Sequence, residues 1–184
     1  MPLNRHAGLV AILPVLLMSG AGQAQTAPSA RVTGYGEVSA ARDLGLRDPG
    51  TIEGSGTVRL WEGATITRQT SRIEARLCGR FGILFVVDGL GAGGALEVTI
   101  RSRHPQLVNP LGQASTGIRY TSTVVAGQPG LVGYTFDHPW EMVPGTWTFS
   151  VQLGDKVLAE QAFEVVAPSD GGQPLRDGCS ALLS

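Results

Sequence analysis

Three histidines and two cysteines are the side chains of this 184-residue sequence whose chemistry is most specific. His104 and His138 each stand directly before a proline, where alternating segments end. Were those ends neighbours, the two imidazoles, with Asp137, Glu141 or Met142, would suit a metal such as copper or zinc. The spacing adds nothing to that: no H-x-H or H-x-x-x-H places two ligands on one element, and solvated loop histidines explain both positions.

Arg101, Arg103 and Arg119 fall at outward positions of two successive strand-like segments. A stripe of guanidinium groups there suits an anion or a glycan, with Tyr134 or Trp140 alongside. A solvated sheet face partly balanced by Glu97 explains the same residues. Of the three tryptophans, Trp147 lies on an alternating apolar face and is expected in the core. Trp140, in a loop between Pro139 and Glu141, is expected to be exposed and is a binding candidate. Trp61 fits either place.

Catalytic chemistry has no foothold in the spacing. There is no G-x-S-x-G elbow, and Gly54-Ser55-Gly56 lacks it; no Ser–His–acid set can be assembled around His104 or His138. Gly34-Tyr35-Gly36 and Gly91-Ala92-Gly93-Gly94 do not lead into a helix, so turn duty explains them better than phosphate binding. The carboxylates are scattered, and no glycosidase pair can be named. The expectation is no catalytic residue, no metal and no cofactor.

The first 24 residues are expected to be a secretory signal peptide. Arg5 supplies the positive start, Ala7 to Met18 a short apolar run, and Ser19 to Ala24 a small-residue cleavage region. The run is too short to span a bilayer, and no later segment is long and apolar enough to do so. Cleavage after Ala24 would leave a periplasmic or secreted protein with no stable membrane insertion. In that oxidising setting Cys78 and Cys179 are most simply one disulfide, tying the C-terminal tail to the domain. Closing a loop of about 100 residues, it would contribute roughly 4–5 kcal/mol on the chain-entropy account. Two unpaired thiols, or a bridge to another chain, are the alternatives. The spacing matches neither a CxxC redox motif nor a zinc site.

Charged residues make up 16% of the chain and the formal net charge is −1, which gives no electrostatic basis for a nucleic-acid partner. Glycine is abundant, with 26 residues, and helix-period patterning is absent, which favours an all-β, turn-rich fold.

The segments that must position the candidate residues read as short strands. Residues 25–30 are an expected disordered lead. Arg31 to Ala40 is a weak segment with edge-strand character, and Asp43 to Gly56 reads as a loop. Thr57 to Arg68 holds strands broken at Glu62-Gly63. Arg72 to Leu77 alternates, with Ile73, Ala75 and Leu77 inward. Phe81 to Leu90 is a near-continuous apolar run, suited to a strand covered on both faces. Leu96, Val98 and Ile100 alternate until His104-Pro105, expected to end the strand, and Gln106 to Ser115 reads as a loop. Ile118 to Val124 and Val132 to Phe136 follow. Trp147, Phe149, Val151 and Leu153 then alternate up to a Gly154-Asp155 turn, and Val157, Ala159, Phe163 and Val165 resume the apolar face. Seven to nine strands with Gly/Pro turns predict an antiparallel β-sandwich spanning residues 31–166, with 167–184 as a tethered tail. A closed barrel is the alternative architecture.

Between Ser71 and Val166, the Phe81-Gly82-Ile83 step, the Gly145-Thr146-Trp147-Thr148-Phe149 hairpin strand and the closing Phe163-Glu164-Val165 resemble a bacterial domain-of-unknown-function family of exported Ig-like sandwiches. The resemblance implies an Ig-like or fibronectin-like fold and no catalytic motif. Cysteines bridging the two sheets around a tryptophan are missing, since Cys179 lies beyond the last strand, so an antibody-type domain is not expected. The sequence therefore points to an exported module that binds an envelope protein or polysaccharide. Its loops at 104–115 and 137–144 are the first place for a site. The rivals are a periplasmic metal-binding protein using the loop histidines and a hydrolase with an unrecognised site.

Overall fold

A computed structural model describes residues 27–39, 42–48, 58–91 and 93–169. The expected signal peptide, Cys179 and the tail beyond Ser169 lie outside the described residues. The strands are β1 (Ser29–Ser39), β2 (Arg42–Arg47), β3 (Val58–Glu62), β4 (Thr65–Gln69), β5 (Arg72–Glu74) and β6 (Arg80–Asp88). They continue with β7 (Ala95–Val108), β8 (Ala114–Val125), β9 (Pro129–Thr135), β10 (Gly145–Leu153) and β11 (Lys156–Val166). One 3-10 turn, Pro139–Glu141, stands between β9 and β10.

Two sheets form the sandwich. The first is four-stranded in the order β4-β1-β6-β9, and the second is five-stranded in the order β5-β11-β10-β7-β8. All pairings are antiparallel except the short parallel match of β5 with β11. Strands β2 and β3 make a separate two-stranded ribbon. The fold is the expected Ig-like sandwich, with nine strands in its two packed sheets and the ribbon in addition.

Alternation explains the core. Trp147, Phe149 and Val151 of β10 point inward and are fully buried, as are Phe163 and Val165 of β11 and Phe81, Ile83, Phe85 and Val87 of β6. Phe81 is the hub: its ring centroid lies 5.3 to 5.7 Å from those of Phe136, Trp147, Phe149 and Phe163. Such stacked, tilted and edge-on aromatic contacts add to the burial energy of each ring. Tyr35 of β1 reaches Phe163 at 6.4 Å, which aligns β1 over β11.

Five expectations change. The weak N-terminal segment is not an edge strand, because β1 is paired on both sides, with β4 and with β6. The stretch from Asp43 is not loop; Asp43, Gly45 and their neighbours pair with β3 across a register break at Asp43/Gly45. His104-Pro105 does not end β7. The strand runs on to Val108, and the proline falls inside the break in β7–β8 pairing between Arg103 and Leu107, where no ladder N–H is required. The expected loop after it shrinks to residues 109–113, closed by Asn109, whose Oδ1 accepts from the Leu111 and Gln113 amides at 3.0 and 2.9 Å. Finally β5 stops at Glu74, although Ala75 continues inward and donates to the Val166 carbonyl at 2.8 Å.

Candidate functional site

The two sheets are flush on one side, where β4 passes directly into β5. On the other side they differ by a strand: the first sheet ends at β9, while the second runs on to β8. The inner face of β8 thus has no strand opposite it. A cavity of about 540 Å³ lies in that gap. One wall is the inner face of β7 and β8, with Ile100, Ser102, His104, Leu107, Ile118 and Tyr120. A second is the free edge of β9, from Leu131 to Thr135, and the β2–β3 ribbon leans across as a third with Leu46, Val58, Arg59, Leu60 and Trp61. Asp137, His138, Trp140 and Glu141 close one end.

The ribbon is held by a latch of alternating charges. Asp43, with a side chain 3% exposed, receives Arg59 Nη1 at 2.8 Å and Arg80 Nη2 at 3.3 Å. Arg59 Nη2 also meets Asp137 at 2.9 Å. Because β2 and β3 bring Asp43 and Arg59 from the ribbon while Arg80 and Asp137 belong to the sandwich, the chain of pairs fastens one to the other. Trp61 is laid over Gly133: a Cβ there would stand 2.8 Å from the indole ring, so the absence of a side chain is what lets the ring approach. The Arg80 guanidinium lies 5.9 Å from the Trp61 ring centre, a further attraction.

This seat is incompletely satisfied. Trp61 Nε1, Arg80 Nε and Thr135 Oγ1 are buried without a hydrogen-bond partner among the described residues, and Thr135 pairs with Arg80 across the β6–β9 ladder. A buried polar atom left unpaired costs free energy. Thr135→Val keeps the branched shape and removes the hydroxyl. The variant is expected to unfold at higher denaturant, with a gain of about 1 kcal/mol, measured by equilibrium denaturation.

The end wall is ordered by Glu141. Its Oε2 accepts from the backbone N–H groups of Asp137 and His138 at 2.6 and 2.9 Å, which fixes the 3-10 turn. Burial raises the Glu141 carboxyl above its usual range, opposed by those two amides. The Tyr134 phenol is likewise pushed up, mainly by burial and further by the Glu141 charge. Burial also pushes the Tyr120 phenol up to about 12, so both phenols stay neutral.

His104 packs against Trp147 with the rings inclined by 35° and their centroids 4.7 Å apart, and Nδ1 is 2.8 Å from the Pro105 carbonyl oxygen. Burial pulls the imidazole below its ordinary value of 6.5, outweighing the Pro105 bond, which raises it. The unfolded chain therefore takes up a proton that the folded chain refuses. Stability is full above the unfolded value and falls as the pH drops below it, until the folded value is reached. Glu141 acts in the opposite sense, since its folded value is raised. Comparing wild type with His104→Phe isolates the histidine: between about pH 7 and pH 5.5 the wild type should lose more thermal stability than the variant.

The candidate residues from the sequence fall around two hollows, and His104 lines both. His104, His138 and Trp140 all line the cavity. His138 is exposed and stacks on Trp140 at 5.5 Å; Trp140 is half-buried against the core rather than exposed. No group of three His, Cys, Asp or Glu placed to hold a metal occurs among the described residues. Arg101, Arg103 and Arg119 are on the opposite, outer face of β7 and β8, with Arg101 and Arg119 directly across the ladder from each other. They border a second hollow of about 460 Å³ with Ser115 and Thr116. Cys78 is 3% exposed, with a left-handed φ of 65° in the turn before β6. Sequence reasoning missed Asp43, Arg59 and Arg80; they stand far apart in the chain, and only the fold brings them together.

No curated protein sequence matches the chain. The crystal structure of an immunoglobulin-like protein from Pseudomonas aeruginosa is similar, with a TM-score of 0.55 and 24% identity over 78% of this chain and 100% of that one. That likeness concerns the fold. The alkylpurine DNA glycosylase AlkC of Pseudomonas fluorescens matches at a TM-score of 0.32, with 15% identity over 53% of this chain and 28% of that chain, which is too distant to carry an argument. The sequence profile of a domain of unknown function matches residues 55–165, the stretch from just before β3 to the end of β11 that carries two walls of the cavity, the latch arginines and the whole aromatic core. In family as well as in fold the expected resemblance is met: the chain belongs to the DUF3859 family.

Proposed function

We propose that this protein is a non-catalytic binding module of the bacterial cell envelope, periplasmic or secreted, with its ligand site in the cavity between β8, β9 and the β2–β3 ribbon. The observation that carries this reading is the mismatch of one strand between the sheets, which opens the sandwich interior into a cavity of about 540 Å³. That volume is in the range of small-molecule sites. Its lining argues for binding over hydrolysis. The hydrogen bond formed by His104 goes to a backbone carbonyl, not to a serine or threonine hydroxyl that it would activate. Titration with the neutral fluorophore phenylnaphthylamine tests the site. One molecule should bind saturably, and Ile118→Trp, which fills the cavity from β8, should weaken binding at least about tenfold. No saturable binding, or binding indifferent to Ile118→Trp in a folded variant, would contradict it.

The export part of the reading rests on the signal-peptide pattern, and a Cys78–Cys179 bridge is what export would produce. Mass spectrometry of the exported protein without reduction should find the two cysteines linked, and alkylation of Cys78 under native conditions would count against it. The outer-face arginines suit an acidic envelope polysaccharide or protein as a macromolecular partner. Salt-sensitive retention on immobilised polygalacturonate, lost in Arg103→Glu, is the expected result; retention unchanged in that variant removes this surface from the account.

A further inference from the structure

His104 is the most specific polar group in the cavity wall. Its Nδ1 faces the Pro105 carbonyl oxygen at 2.8 Å. A carbonyl can only accept, so Nδ1 carries the proton and donates it, and Nε2 of the neutral ring is left as an acceptor. Contacts with Trp147 at 4.7 Å and Tyr134 at 6.2 Å fix the plane of the ring. Nε2 has no protein partner among the described residues.

The charges around the cavity, by contrast, leave no cation to spare, because Asp43, Asp137 and Glu141 face only the two guanidinium groups of Arg59 and Arg80. Arg59 is shared between Asp43 and Asp137, Arg80 leans on Asp43, and Glu141 is held by two backbone amides. An anionic guest would be stripped of water against walls with no cation to spare. Flat faces come from Trp61, Tyr120, Tyr134 and Trp140, with aliphatic side chains between them.

We infer that the cavity takes a ring-containing organic molecule that is not an anion and bears a hydroxyl or N–H group, which donates to Nε2 of His104. This rests on the cavity being the ligand site and adds the chemical class it selects. The geometry excludes carboxylates by charge and excludes rings that carry only acceptors, because an acceptor facing Nε2 leaves both groups unpaired.

Displacement of phenylnaphthylamine by three compounds tests the inference. Indole is neutral with an N–H donor, benzofuran has the same shape with oxygen in place of the N–H, and benzoate is charged. Indole should displace the fluorophore at a concentration at least about tenfold lower than benzofuran or benzoate requires. His104→Phe keeps an aromatic ring on Trp147 and removes the acceptor, so indole and benzofuran should become equal. In the wild type, the His104 Nε2 nitrogen resonance should move on adding indole and stay in place with benzofuran; this reading does not depend on the variant folding. Equal displacement by all three compounds, or an indole preference that survives in folded His104→Phe, overturns the inference while leaving the cavity as a ligand site. Failure of phenylnaphthylamine and of all three compounds to bind overturns both.

Discussion

Replacing Asp43 with asparagine is expected to release the β2–β3 ribbon while the sandwich stays folded. Asp43 links ribbon and sandwich: it pairs with Arg59 and with Arg80, and its other oxygen accepts the Gly45 amide at 2.8 Å. Arg80 has a side chain only 7% exposed. Neutralising Asp43 leaves that guanidinium buried with no carboxylate, at a cost of about 3–5 kcal/mol. Undocking the ribbon gives Arg80 water and also hydrates Trp61 Nε1 and Thr135 Oγ1, so release is the cheaper response. Hydrogen exchange should show β2 and β3 amides losing protection while β6, β10 and β11 keep theirs. Phenylnaphthylamine affinity should fall with them, because one wall of the cavity has gone. Unchanged protection of the ribbon would mean that Trp61 and the Arg59–Asp137 pair suffice to hold it.

The second large effect is expected from Trp147→Ala. Trp147 is 0% exposed, and its ring meets those of Phe81, His104, Tyr134 and Phe136 within 5.7 Å. Its Nε1 donates to the Val143 carbonyl at 3.2 Å, which ties the segment before β10 to the core. Truncation removes the largest buried side chain and leaves a hole that β-strands on both sides cannot close. The expected cost is about 3–5 kcal/mol, read as a drop in Tm of roughly 10–20 °C. The same substitution takes away the surface on which His104 rests. In any fraction that stays folded, the imidazole gains water, its pKa returns toward the ordinary value, and the acid sensitivity assigned to His104 should diminish. A Trp147→Ala protein that melts within a few degrees of wild type would show that the aromatic cluster is not the centre of the fold.

The sandwich was legible in the sequence because its strands alternate. Trp147, Phe149 and Val151 against Thr148 and Ser150 dictate which face is inside, and Gly154-Asp155 dictates where the chain turns back. The same rule explains the failures. β2 was unreadable because its inward group is a carboxylate: Asp43 is buried by virtue of Arg59 and Arg80, which lie 16 and 37 positions away, and period-2 reading scores only apolar inward residues. β7 was cut short at Pro105 because a proline ends a ladder unless the partner strand breaks register there, and that break is visible only in the pairing with β8.

The site was half legible. His104, His138 and Trp140 were singled out and do share one cavity, but as wall and stacking groups rather than as a metal set. The cavity itself follows from a count of strands in each sheet, and no local pattern states that β8 has no strand opposite it. The arginine stripe was legible for the opposite reason: outward alternation on β7 and β8 places Arg101, Arg103 and Arg119 together whatever sheet lies beneath.

The central claim is that the gap beside β9 is a ligand site walled by the ribbon. The chain's three tryptophans make it directly testable by nuclear magnetic resonance of their indole N–H groups during phenylnaphthylamine titration. Trp61 and Trp140 line the cavity, while Trp147 is buried in the core behind it. The account predicts that the Trp61 and Trp140 signals shift together and saturate at one equivalent, with a smaller response at Trp147. Signals that stay fixed while changes gather on the outer face around Arg101, Arg103 and Arg119 would contradict it.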